Sequence, residues 1–148
     1  MPRPLSPQAA VEYEELSAFL RFYLVVLKGR DVALFEQSAA EIEEEFGRSK
    51  ALIGLRQAVN DTIEELAGAN REAIELLDRS LTERGLVSFS ELRRRHSAQY
   101  KRLLKRGIIQ NDAEFHMVSA VASDLSANVS DEERGQLQRM IEAYERDA

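Results

Sequence analysis

Apolar positions recur at helical spacing along nearly the whole chain, and the residues between them read as helix starts and stops. Ser6 followed by Pro7 is a favourable start, because proline at the first helical position gives up an N–H that has no partner there anyway. The pattern predicts a first helix from there to about Lys28, with Gly29 supplying a left-handed stop. Asp31 opens a second, whose Val32, Phe35, Ala39, Ile42 and Phe46 step alternately by three and four and so form one narrow stripe. Gly47 ends it, and Ser49 is placed to cap the next.

From Ser49 to Arg84 the periodicity continues through Leu52, Leu55, Val59, Ile63, Leu66, Ile74, Leu77 and Leu81. One long helix is the favoured reading. Its weak point is Gly68-Ala69-Asn70, where glycine costs about 1 kcal/mol relative to alanine and Asn70 offers a cap for a second helix. Further on, Ser88 precedes Glu91 by three, Asn111 precedes Glu114 and Ser130 precedes Glu133, each at capping-box spacing. Helices at about 89–106, 112–126 and 131–146 follow. The phrase Arg84-Gly85-Leu86-Val87 returns as Arg106-Gly107-Ile108-Ile109, but the helices that follow do not match, so it reads as a repeated joint and not as a duplicated unit.

No segment alternates with period two and no hairpin dipeptide occurs, so the expected fold is all-α. It is read as a compact bundle of about six helices, with a long central helix hairpin and three shorter C-terminal helices. Residues 1–6, holding two of the three prolines, are expected to be a disordered tail ahead of a single helical domain over 7–148.

Composition narrows the chemistry. The 148 residues include no cysteine and no tryptophan, which removes disulfide scaffolds, cysteine-ligated metals and thiol catalysis. The most apolar run, Leu16 to Leu27, is 12 residues long, against the roughly 20 needed to cross a bilayer. Glu12, Glu14 and Glu15 stand where a signal peptide carries positive charge. A cytoplasmic protein is expected. A helix so apolar in a small domain soon runs out of internal partners, so self-association as a homodimer is expected as well.

Candidate catalytic patterns are sparse. His96 falls on or beside the apolar stripe of its helix and reads as a core-edge imidazole, whereas His116 lies away from the seam of Phe115, Val118, Ala122 and Leu125 and reads as a surface or interface residue in preference to a ligand. There is no His-Glu-x-x-His, no Glu-x-x-His, no calcium-loop spacing, no nucleophile elbow and no phosphate-cradling glycine loop. No cofactor is implied, and the reading leans away from an enzyme, with a carboxylate-based metal site assembled in three dimensions ranking third among the functions.

Charge changes the picture most. The net charge is −6, yet residues 84–106 hold eight lysines and arginines against the single Glu91, a local +7, so the remainder carries −13. On a continuous helix Arg94, Arg95, Lys101, Arg102, Lys105 and Arg106 would share an arc of about 140°. Three roles compete for that face: pairing with the chain's own acids such as the Glu36–Glu45 surface, docking an acidic protein partner, or binding nucleic-acid phosphates. The overall acidity and the lack of stacking aromatics or Asn/Gln base readers weigh against nucleic acid, and the large apolar residues are needed for the core, which weighs against a membrane surface. The leading expectation is a non-catalytic protein–protein interaction module, an adaptor, regulator or inhibitor/immunity-type partner, with a nucleic-acid-binding regulator as the alternative.

Overall fold

A computed structural model describes residues 4–124 and 129–147. Residues 1–3 of the expected tail, and Leu125 and Ser126 at the expected end of the sixth helix, lie outside the described residues. The fold is all-α, with seven α-helices and no strand among the described residues. They are α1 (Pro7–Arg21), α2 (Val32–Glu65), α3 (Arg71–Glu83), α4 (Phe89–His96), α5 (Ala98–Arg106), α6 (Asp112–Ser123) and α7 (Asp131–Asp147), with a π-helical turn at Phe22–Leu27 continuing α1. None is long and apolar enough to cross a membrane, among the described residues. The chain forms two compact units, Met1–Thr62 and Ile63–Ala148.

In the first unit Ser6 caps α1 by accepting from the Ala9 N–H at 3.1 Å, and Gly29 takes a left-handed φ of 69° after the π turn. Tyr13, Leu16, Phe19, Leu20, Phe22 and Tyr23 are buried, whereas Val26 and Leu27 at the end of the same apolar run are exposed. Gly47, at φ 80° and ψ 166°, interrupts α2 in a region open essentially to glycine alone, so the expected stop there holds. The segment after the break buries Ala51, Leu52 and Val59 and is tied to α1 by Arg56 on Glu12 at 2.5 Å and Arg48 on Glu14 at 3.3 Å. In the segment before it the narrow apolar stripe leaves Val32, Ile42 and Phe46 exposed, while Tyr13 and Arg21 of α1 reach Glu43 and Glu36 beside that stripe.

In the second unit the helix expected over Ser49–Arg84 ends at Glu65 and restarts at Arg71. The weak point decides it: the Asn70 side chain accepts from the Ala73 N–H at 2.8 Å, satisfying a donor that a new helix start leaves open. At its other end α3 closes with Gly85 N–H on the Thr82 carbonyl and Leu86 N–H on the Leu81 carbonyl, both 3.0 Å, the paired bonds of a Schellman stop. Ser88, Asn111 and Ser130 cap α4, α6 and α7 at the expected positions. Tyr100, Leu103, Ile109, Met117, Val118, Val121, Leu137 and Met140 form one buried cluster.

Gly107 ends α5 at φ 78°, and a Cβ added there would meet nothing within 4 Å. The cost of Gly107→Ala is therefore backbone strain alone. It is expected to lower stability by about 1 kcal/mol, measured by urea denaturation; no change would show that the left-handed stop is unnecessary.

Candidate functional site

The cationic segment does not form one helix. Ser97 sits at φ −76°, ψ 116°, donates its N–H to the Arg93 carbonyl at 2.8 Å and accepts the Tyr100 N–H on its hydroxyl at 3.1 Å. It is at once the end of α4 and the cap of α5. A serine that offers the backbone a side-chain partner competes with helix continuation, and the succession Arg93-Arg94-Arg95 before it gains nothing from a continued ladder of like charges. The common 140° arc of Arg94, Arg95, Lys101, Arg102, Lys105 and Arg106 is thereby cut in two.

The structure brings these residues to two kinds of place. Arg94 and Arg95 are half-buried around Glu91, itself 2% exposed: Arg94 donates to both its oxygens at 2.8 Å and Arg95 to one at 2.6 Å. Burial pushes the Glu91 carboxyl up, and the hydrogen bonds and charges of the two guanidiniums outweigh it, so it stays below the ordinary range. Arg94 also lies 3.5 Å from Glu133 of α7. The Tyr100 hydroxyl shares that carboxylate, and burial together with the Glu133 charge raises the phenol well above its usual value. Arg106 donates to Glu114 at 2.5 Å and to the Ile108 carbonyl at 2.8 Å, which holds the Glu114 carboxyl low. These three arginines serve their own unit.

Lys101, Arg102 and Lys105 are different. All three are exposed on α5, opposite the buried Tyr100 and Leu103, and have no ion-pair partner among the described residues. By helical geometry they span about 100° of the α5 surface.

The pattern alone did not mark a second polar centre, buried between α3, α4 and α6. Asp78 accepts from the Ser90 N–H at 2.9 Å and from its hydroxyl at 2.5 Å, and Ser88 donates to Asp124. Arg93, 5% exposed, lies with its guanidinium 5.2 Å from the Phe89 ring centroid, and its Nε and Nη2 have no hydrogen-bond partner among the described residues. Burial pushes Asp78 up to about 6 against the Ser90 bonds, and burial lowers Arg93 to about 10 against the attraction of Asp78. Phase was the available signal. Asp78 stands four after Ile74 and three before Leu81, on the buried side of α3, and Arg93 stands four after Phe89. The centre thus consists of two serine–carboxylate pairs and a buried guanidinium. His116, half-buried in α6, has its ring tilted at 58° to that of Phe115 with 5.8 Å between centroids, and His96 is half-buried at the end of α4. Among the described residues no three histidine, aspartate or glutamate side chains converge to hold a metal ion.

No family model matches this sequence, and comparison with curated proteins and with solved structures finds no match either.

Proposed function

We propose that this chain is a cytoplasmic, non-catalytic protein–protein interaction module whose contact is the outer face of α5, and that the face docks an acidic protein partner. One observation carries the reading: of the cations that set this segment apart, Lys101, Arg102 and Lys105 are the ones left exposed without an internal counter-charge among the described residues, while Arg94, Arg95 and Arg106 are engaged within the unit. Arg102 brings a planar fork that matches a carboxylate, and the two lysines bring mobile point charges beside it. Tyr100 and Leu103 fix the opposite side of α5 in the core, so the cationic side is held on a helix and not on a loop. An adaptor, a regulator or an inhibitor-type partner would each use such a face.

The triple variant Lys101→Glu/Arg102→Glu/Lys105→Glu is expected to keep its helical circular-dichroism spectrum and to lose the proteins that wild type captures from a nuclease-treated native lysate. A variant that keeps every partner overturns the reading. Binding to random-sequence DNA with log affinity falling against log salt at a slope of about −3 would instead assign the face to nucleic acid.

A further inference from the structure

We propose that the exposed face of α2 between Val32 and Phe46 docks an amphipathic helix of a partner protein, one whose apolar seam is bordered by lysine or arginine. The face belongs to the first unit, whereas α5 belongs to the second. Its apolar residues follow the alternating three- and four-residue steps of a coiled-coil seam and occupy an arc of about 80°. Packed on the inside, such a stripe would be core. Here Ile42 is 45% and Phe46 51% exposed, Val32 is exposed as well, and Phe35 and Ala39 are only half-buried. At its N-terminal end the stripe opens into a depression of about 310 Å³, lined by Leu24, Arg30, Asp31, Leu34, Phe35 and Ser38. The helix ahead of Gly47 is four turns long, about 22 Å at 1.5 Å per residue, the length of two heptads of a facing helix. Regular spacing of knobs on a rigid helix suits another helix better than an extended strand, which would offer its side chains at a period of two.

Charge selects the occupant. Asp31, Glu36, Glu41, Glu43, Glu44 and Glu45 lie in this stretch with no lysine or arginine among residues 31–46. Arg21 answers Glu36 at 3.0 Å and Arg48 answers Glu43 at 3.5 Å, both on the α1 side. On the other flank Asp31 caps its own helix, and Glu45 has no cationic partner among the described residues. Two copies of this face would set carboxylates against carboxylates at the flanking positions that decide coiled-coil pairing, so a homodimer through this face is disfavoured. A phospholipid surface meets the same objection. A helix with cations beside its seam gains on both counts, because it covers the apolar stripe and pairs with the acidic flank.

The probe is a fluorescently labelled synthetic helix of about three heptads with isoleucine and leucine in the seam and lysine in the flanking positions, beside a matched peptide carrying glutamate there. Titrated with the full chain and read by anisotropy, the lysine peptide is expected to bind at least about tenfold more tightly than the glutamate peptide. Ile42→Glu/Phe46→Glu is expected to weaken it by at least tenfold while leaving helix content unchanged, since both side chains are exposed. That variant gains two negative charges, so unspecific attraction to a cationic peptide would move the other way, and unchanged or tighter binding overturns the proposal. Equal binding of the two peptides, or of neither, also overturns it. So does light scattering that finds a wild-type dimer dissociated by the same substitutions, which would give the face to a second copy. The triple α5 variant is expected to bind the lysine peptide as wild type does, which keeps the fate of this surface distinct from that of α5.

Discussion

Replacing Asp78 with alanine is expected to destabilise the second unit by about 3 kcal/mol, the cost of leaving two buried donors without their acceptor. Two donors of Ser90 lose their acceptor, and the Arg93 guanidinium, already lacking hydrogen bonds on two nitrogens, loses the carboxylate that favours its charge. Native-state hydrogen exchange at the α3 and α4 amides reports this unit by itself; a loss below about 1 kcal/mol would mean that Arg93 finds other compensation. Acid titration supplies an independent signature. Asp78 has a folded value of about 6 against an ordinary 3.8, raised mainly by burial. A carboxyl raised on folding binds its proton more tightly in the folded state. Its contribution is therefore fully present below pH 3.8 and is lost as pH rises through about 6, some 3 kcal/mol across the window. Glu91 and Glu114 have depressed values and act with the opposite sign. Their stabilisation is present above 4.5 and lost as pH falls through their folded values, so the two effects occupy different ranges. Asp78→Asn is expected to flatten the decline between pH 4 and 7 and to leave the acid limb in place. A wild-type profile that rises over that interval would contradict the assignment.

The second large effect is expected at Phe89. Its ring is fully buried at the first position of α4 and also carries the Arg93 guanidinium on its face. Phe89→Ala removes both the packing volume and that electrostatic contact, for a loss of about 4 kcal/mol. Phe89→Leu keeps most of the volume and is expected to cost about 1.5 kcal/mol or less. Equal losses in the two variants would show that the aromatic face, and not the volume, is what the site needs. The effects of Phe89→Ala and Asp78→Ala should fall short of additivity, because each weakens the other's hold on Arg93.

Helix boundaries were legible wherever one local interaction decides them. Ser6, Asn70, Ser88, Asn111 and Ser130 each accept the backbone N–H three residues on, and Gly29, Gly47, Gly85 and Gly107 take the positive φ that their place in the chain required. Ser97 was not legible. It resembles any polar residue inside an amphipathic helix until its two competing hydrogen bonds are seen. The stripe of α2 was correctly read as apolar and narrow, yet periodicity says only that a face is apolar and nothing about whether the chain has material to cover it. The cationic face was legible in total charge but not in its division. Which arginines turn inward depends on Glu91, Glu114 and Glu133 arriving from other turns and other helices, and a linear charge count does not register them. Asp78 and Arg93 were hidden for a simpler reason: a charged residue at a buried phase looks like noise in an apolar pattern.

For the partner proposed above, the break at Ser97 also sets the pace of encounter. A single helix carrying all six cations would project a concentrated field. With Arg94, Arg95 and Arg106 answered inside the unit, the exposed attraction on α5 comes from Lys101, Arg102 and Lys105 and fades over about 8 Å at physiological ionic strength. Encounter is then steered only in the last stage of approach, and how long a complex lasts rests on the fit made after contact.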